Sequence, residues 1–201
     1  MADPFKLRRA LDAVLPMAKL GEPAVAVARG CADAEEAIRR LESSGDLVSA
    51  VRLGAFTLPR REAVWWSAMC SFHVAPPGQP ELEIRARAAA EAWVWQQDDE
   101  TRRQAMDLAR KAGFAAPEAW CAVAAFWSGE SISPPGQPVV PPAPHLAGTA
   151  VAGAVGLASV RLHPARRAAR LSNFLASLRD IGSGGPGRLI PEAGPRNESG
   201  S

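Results

Sequence analysis

The chain of 201 residues carries 23 Lys and Arg against 21 Asp and Glu, a formal charge of only +2. So small a charge excludes the basic footprint of proteins that bind nucleic acid or an anionic membrane surface. With 47% hydrophobic and 22% charged residues, the composition is that of a globular domain with its own core, and the 40 alanines favour helix.

The cysteines and the N-terminal segment indicate the compartment. Cys31, Cys70 and Cys121 are an odd number without the spacing of a disulfide framework, so we predict reduced thiols in a cytoplasmic protein. The basic residues near the N-terminus are followed by a stretch containing Asp12, unlike the uncharged apolar segment of an export signal. The apolar run 146–160 is shorter than the ~20 residues that span a bilayer, so we expect no membrane insertion.

Helical signals become continuous from Asp33. Asp33 and Asp46 are placed to cap two short helices, since each precedes apolar residues with helical spacing. Pro59 begins a third helix that is apolar nearly all round, which is typical of a helix at the centre of a fold. Further helices are indicated over about 81–95, 98–112, 117–127, 145–162 and 164–182.

These patterns predict an all-α fold, either an irregular helical bundle or a short α-solenoid of about seven or eight helices. Every pattern has the 3.6-residue period, and no alternating run of β-branched residues competes with it. Residues 1–30 form an N-terminal extension with one expected amphipathic helix that Pro16 must end or kink. The helical domain covers 31–182, and the Gly, Pro and polar residues of 183–201 predict a flexible tail.

A pentapeptide, Pro-Pro-Gly-Gln-Pro, occurs at 76–80 and again at 134–138. Each copy follows a Trp-rich helix and precedes an Ala-rich helix, so a duplicated three-helix unit is one interpretation. The other interpretation is chance recurrence of a Pro-Gly turn. Duplication predicts that the two Trp-rich helices pack side by side. Independently of the duplication, the helical fold predicts five largely buried tryptophans: Trp65, Trp66, Trp93, Trp120 and Trp127.

Candidate catalytic and metal residues are sparse. Cys70 and His73 share one helix face, but no second Cys/His pair lies at ligand spacing, so we expect no metal and no cofactor. A buried thiol and a helix-end histidine are the alternative interpretation of this pair. An enzyme would need a site that the fold assembles from Cys70, His73 and Glu118 or similar polar groups.

Two arginine pairs stand at helix starts, where positive charge is mildly unfavourable. These pairs are Arg102-Arg103 and Arg166-Arg167. They are candidate partner-binding residues for an acidic protein surface, and a solvated face is the alternative.

The segment from Ser128 to Pro144 holds six prolines and is too long for an ordinary helix connection. Its composition favours an extended polyproline conformation, which loses little entropy on docking. The segment therefore either covers the domain's own surface or is presented to a partner.

The block Leu58-Pro-Arg-Arg-Glu-Ala-Val-Trp-Trp66, with Ala92-Trp93-Val94 and residues 119–128, resembles an uncharacterised proteobacterial family of helical proteins often encoded near type VI secretion genes. The similarity runs over about 33–182. It implies a cytoplasmic accessory protein of a contractile secretion apparatus and brings no assigned catalytic residues. We therefore predict a non-enzymatic adaptor or chaperone-like protein whose partner is a secretion component or effector. A small hydrolase or transferase is the alternative.

Overall fold

The computed structural model describes residues 6–192, which form ten α-helices, one short 3₁₀ turn and no strand. This confirms the all-α fold, and a helical bundle is the form it takes. The helices are α1 (Leu11–Ala18), α2 (Glu22–Arg29), α3 (Ala34–Ser43), α4 (Leu47–Thr57), α5 (Arg60–His73), α6 (Glu81–Gln96), α7 (Asp99–Ala112), α8 (Pro117–Trp127), α9 (Leu146–Val160) and α10 (Arg167–Gly182).

Local sequence explains where several helices begin. The Asp33, Asp46 and Asp98 side chains each accept a hydrogen bond from the amide three residues later, at 2.9, 3.1 and 2.7 Å. Each bond satisfies one of the amides that a helix N-terminus leaves without an intrahelical acceptor. The predicted caps at Asp33 and Asp46 are confirmed.

The eight predicted helices correspond to α3–α10, and two further helices lie in the N-terminal extension. There the structure differs from the single amphipathic helix that we expected, because the chain turns between α1 and α2 at Lys19, which has a φ of 48°. Leu7, Val14 and Ala18 are fully buried in the common core. The extension therefore packs as part of the helical bundle.

The Trp-rich helices α5 and α8 contact each other, and α5 also contacts α6, α9 and α10. Trp66 is fully buried and donates its indole N–H to the Phe174 carbonyl oxygen of α10 at 2.9 Å. Trp93 is also buried, as predicted. Trp65, Trp120 and Trp127 are only partly buried, which differs from the prediction for these three.

Arginine side chains join helix ends to their neighbours. Arg61 donates to the Val94 carbonyl near the end of α6 at 2.7 Å, and Arg170 donates to the Arg161 carbonyl after α9 at 2.6 Å. The last carbonyls of a helix lack intrahelical partners and carry partial negative charge. A guanidinium supplies both a hydrogen-bond donor and a positive charge to these carbonyls. Its rigid fork of donors suits this role better than a lysine ammonium does.

The two Pro-Pro-Gly-Gln-Pro copies have similar turns, with φ of +71° at Gly78 and +79° at Gly136. Such values lie in the left-handed region, which glycine enters without steric cost. The helices that follow the two turns are arranged differently: α6 and α7 pack extensively against each other, whereas α9 is bent by 115° from the segment 164–182 and contacts α10 little. The duplication stays a prediction.

The Pro-rich segment contacts its own domain at several points. Arg103 of α7 donates to the Ser133 carbonyl at 2.7 Å, and Pro142 is buried. Within the segment itself, the Ile132 amide donates to the Val140 carbonyl at 2.8 Å. Val139 nevertheless stays 71% exposed.

No helix among residues 6–192 is by itself long and apolar enough to cross a membrane. Only α9 taken together with the segment 164–182 has the length and mean hydropathy of a membrane span, and the two are bent by 115° from each other.

Candidate functional site

The first predicted arginine pair does not present two side chains to a partner. Arg102 is only 3% exposed, bonds Asp99 and the Phe126 carbonyl, and places its guanidinium 5.2 Å from the Phe126 ring centroid. Arg103 is partly buried between Asp99 and the Pro-rich segment. Arg102 is therefore placed in the interior, contrary to our expectation of a surface residue, because its long side chain reaches the end of α8.

The second predicted pair contacts a different part of the molecule. Arg166 forms an ion pair with Glu192 at 3.3 Å, and Arg167 is exposed at the start of α10. The four arginines therefore do not form one surface. A partner-binding role for Arg103, Arg166 and Arg167 stays a prediction.

Cys70, His73 and Glu118 each have different surroundings. Cys70 is fully buried, and its burial raises the pKa of the thiol well above its usual value. The His73 Nδ1 atom contacts the Ile190 carbonyl oxygen, whereas Glu118 accepts hydrogen bonds from Gln79 and Arg161. No hydrogen bond joins any two of the three residues in the part of the chain that the structure describes. His73 and Glu118 are thus bonded to separate partners, and the enzyme alternative stays a prediction.

Glu118 belongs to a buried group that we call the ionic cluster, formed by Gln79, Glu83, Glu118 and Arg161. One Glu118 oxygen accepts from Gln79 at 2.5 Å and from Arg161 at 2.6 Å, and Arg161 also pairs with Glu83 at 2.7 Å. The Glu118 side chain is fully buried, and its second oxygen has no partner within the described chain. The cluster joins α6, α8 and the end of α9, so we assign it to architecture.

At the other end of α6 lies an open cleft of about 300 Å³, which we call the tryptophan cleft. Trp95 is 68% exposed, and its ring centroid lies 6.0 Å from that of Trp65 in an edge-to-face arrangement. The Arg61 guanidinium lies 5.7 Å from the Trp95 ring centroid. The residues lining the cleft are Lys6, Arg61, Glu62, Trp65, Val94, Trp95, Ile181, Gly184, Gly185, Pro186 and Arg188.

The tryptophan cleft has an excess of positive charge. Lys6 pairs with Glu62 at 2.6 Å, whereas Arg61 uses its Nε to bond the Val94 carbonyl and has no carboxylate partner among residues 6–192. Arg188 is exposed and likewise has no ion-pair partner there. Three cations against one carboxylate leave two positive charges beside an exposed indole.

One wall of the tryptophan cleft is supplied by residues 184–192, which we call the C-terminal strap. The strap lies along α5 and α10, where the Trp65 indole donates to the Pro186 carbonyl at 2.7 Å and Ser177 donates to the Gly187 carbonyl at 2.6 Å. This differs from the flexible tail that we expected, because side chains of the bundle bond the strap backbone. Residues 193–201 of that predicted tail lie outside the described chain.

The exposure of Trp95 has a signal in the sequence that our predictions did not use. Trp95 follows Trp93 by two residues, or about 200° around a helix with 3.6 residues per turn. Because Trp93 lies on the buried stripe of α6, Trp95 had to lie near the opposite face. No comparable signal exists for the strap, whose contacts are made mainly by backbone atoms.

Residues 37–182 match the model of a family of unknown function, DUF6931. The chain belongs to this family. The match agrees with the predicted resemblance to an uncharacterised family over about the same residues. No protein of curated function and no solved structure matches the chain. Arg61, Trp65 and Trp95 of the tryptophan cleft lie within the family match, whereas Lys6 and Arg188 lie outside it.

Proposed function

We propose that this chain is a non-enzymatic adaptor or chaperone-like accessory protein that binds a protein partner in the tryptophan cleft. The observation that carries the proposal is an indole 68% exposed beside an unneutralised guanidinium. Trp and Arg are the residue types most enriched among those that dominate protein binding energies. A large apolar side chain held on the surface beside a concave site is typical of an interaction surface.

The chemistry of the cleft defines the partner. The exposed Trp95 face takes an apolar or aromatic side chain, and the free charges of Arg61 and Arg188 take carboxylates. Complementary charge increases the association rate and rejects basic partners. The partner segment is therefore acidic, with one apolar anchor.

The partner that we propose is a component or an effector of a bacterial type VI secretion system, which places the protein in the cytoplasm. Support comes from the block at 58–66, because the residues that carry the family resemblance include Arg61, Glu62 and Trp65 of the cleft. The same block thus supplies both the resemblance and part of the proposed binding site. We expect neither nucleic acid nor a cofactor as a ligand.

The alternative, a small hydrolase or transferase, would need Cys70, His73 and Glu118, or similar polar groups, in one pocket. The contacts of His73 and Glu118 lead to separate partners, and burial keeps the Cys70 thiol protonated by raising its pKa. A protonated thiol is a poor nucleophile. These contacts favour the adaptor.

Affinity capture with quantitative mass spectrometry tests the proposed function. The tagged wild-type chain and the variants Trp95→Ala and Val139→Ala are compared in the organism that encodes the protein. Val139 is a matched control, because it is equally exposed but lies on the Pro-rich segment. We expect the wild type and V139A to enrich a secretion component or effector, and W95A to lose at least ten-fold of that enrichment. Equal enrichment by W95A, or no secretion protein with the wild type, would contradict the proposal.

A further inference from the structure

The C-terminal strap is held in the way that a binding groove holds a peptide. We infer that the groove between α5 and α10 is a peptide-binding site, which the strap fills in the isolated chain and from which a partner segment displaces it. The ligand class is an extended segment with a glycine and, five residues later, a carboxylate. This inference goes beyond the tryptophan cleft, since the recognition chemistry that it adds, at Ser177, His73 and Arg170, lies outside the cleft lining, and the two sites adjoin at Trp65 and Pro186.

Recognition of the strap backbone is the first observation. Trp65 and Ser177 donate to consecutive strap carbonyls, and the His73 ring nitrogen contacts a third at Ile190. In the opposite direction, the Glu192 amide donates to the His73 carbonyl at 2.7 Å. Main-chain bonds of this kind recognise an extended peptide of varied sequence.

A strict requirement for glycine at position 187 is the second observation. Gly187 has a φ of +61° and donates its amide to the Asp180 carboxylate at 2.7 Å. A Cβ at this position would overlap the Ile181 side chain and approach Ser177 Oγ to 3.1 Å. Any other residue would therefore be strained by its backbone, and its Cβ would fit only if the buried Ile181 side chain moved.

A carboxylate receptor at the end of the groove is the third observation. Arg170, whose side chain is 2% exposed, donates to Glu192 at 2.6 Å through Nη2, and Arg166 lies 3.3 Å from the same oxygen. A buried guanidinium with several donors is a geometrically specific receptor for a carboxylate. The charge of this end of the groove fits an acidic segment.

Apart from Glu192, the strap has few buried side chains, so displacement is feasible for a segment that supplies its own carboxylate to Arg170. Gly187 has no side chain, Leu189 is partly buried, and Ile190 is largely exposed. Segments with few buried apolar contacts open at lower free energy than the core of a domain. The occupant that we assign is a partner protein's acidic extended segment, which would gain the same bonds and add contacts of its own.

The test measures binding of a fluorescent blocked peptide with the sequence of residues 184–192 to the full-length chain. Gly187→Ala in the chain expels its own strap while leaving the groove intact, and Glu192→Gln weakens the strap at its other end. We expect both variants to bind the peptide at least ten-fold more tightly than the wild-type chain does. A peptide that itself carries Gly187→Ala should bind neither variant.

Circular dichroism melts establish that the variants are folded. As a second measurement, hydrogen exchange of residues 184–192 in the wild-type chain should accelerate when excess peptide is added. Failure of G187A and E192Q to bind the peptide, together with unchanged exchange in the wild type, would overturn the inference. A concentration-dependent dimer that G187A abolishes would assign the groove to a second copy and overturn the partner assignment.

The two proposals fail separately in these experiments. Trp95→Ala in the G187A background should retain most of the peptide affinity: residues 184–186 of the strap line the tryptophan cleft, but Gly187, Glu192 and their partners Asp180 and Arg170 lie outside that lining. Loss of partner capture by W95A with retained peptide binding therefore tests the tryptophan cleft alone.

Discussion

The two ends of α6 use charged residues in opposite ways. At the first turn, Glu83 joins the ionic cluster, in which Arg161 lies between two carboxylates and Glu118 is fully buried. At the last turn, Trp95 and the adjacent Arg61 remain accessible, and the cations outnumber the carboxylates. Both regions contain arginine and glutamate, so composition alone does not distinguish them.

The two regions differ in whether their charged groups already have partners within the folded chain. In the ionic cluster one guanidinium pairs with two carboxylates, and its loss would leave buried negative charge uncompensated. In the tryptophan cleft the Trp95 side chain is 68% exposed, and Arg61 and Arg188 lack a carboxylate partner within the described chain, so removal of the Trp95 side chain costs little stability. We therefore expect substitutions in the ionic cluster, at the first turn of α6, to lower stability. Substitutions in the tryptophan cleft, at its last turn, should weaken partner binding.

The largest effect should follow from Arg161→Met. This change leaves Glu118 and Glu83 without their guanidinium, and breaking a buried ion pair in this way costs about 3–5 kcal/mol. Urea unfolding followed by circular dichroism measures the loss. The double variant E118Q/R161M should recover part of the stability because it also removes the unpaired carboxylate. A loss below about 1 kcal/mol for R161M would mean that the cluster behaves like a surface ion pair.

The thiols should show the next largest difference. Burial raises the pKa of Cys121 to about 12 and that of Cys70 well above its usual value, whereas Cys31 is only half-buried and its pKa is raised less. At pH 8 we expect Ellman's reagent to modify Cys31 at least 100-fold faster than the other two. Unfolding in urea should make all three react. Rapid modification of Cys70 in the folded chain would revive the enzyme hypothesis.

A smaller effect separates the two environments of tryptophan. Trp95→Ala should change the free energy of unfolding by no more than about 0.5 kcal/mol, since exposed side chains contribute little. The same variant should weaken partner binding at least ten-fold, or about 1.4 kcal/mol. Trp66→Ala is the opposite control, because it empties a buried site and should cost about 3–5 kcal/mol of stability. Similar stability losses for W95A and W66A would contradict the distinction between an exposed tryptophan that serves binding and a buried one that serves stability.

The smallest effect that we predict is a pH dependence of the docking of the C-terminal strap. The hydrogen bond from Arg170 lowers the pKa of Glu192 below its usual value. A carboxyl with a lowered folded-state pKa stabilises the docked strap above its ordinary pKa, about 4.3, and that stabilisation is lost as the pH falls through the lowered value. The amide resonance of Gly187 should report this transition by NMR. Glu192→Gln should abolish that pH dependence; an unchanged transition would point to another group.

The sequence allowed prediction of the elements more fully than of the candidate site. Capping by Asp33 and Asp46 and the apolar stripes of α3–α10 are local features, so periodicity and propensity were sufficient. The ionic cluster joins Glu83 and Arg161, which are 78 positions apart, and such a pairing depends on the packing of helices. The expectation that Arg102 lies at the surface was wrong. It considered only the unfavourable interaction of a cation with a helix N-terminus, and not that a long side chain can reach a neighbouring helix.

Site-specific photo-crosslinking at position 95 tests the central claim most directly. A benzophenone amino acid replaces Trp95 in one variant and Val139 in another, and both are irradiated in the organism that encodes the protein. We expect a major adduct from position 95 only, containing an acidic segment of a secretion component or effector. An adduct that forms from position 139 but not from position 95 would contradict a binding site in the tryptophan cleft, because the Pro-rich segment would then be the surface that binds the partner.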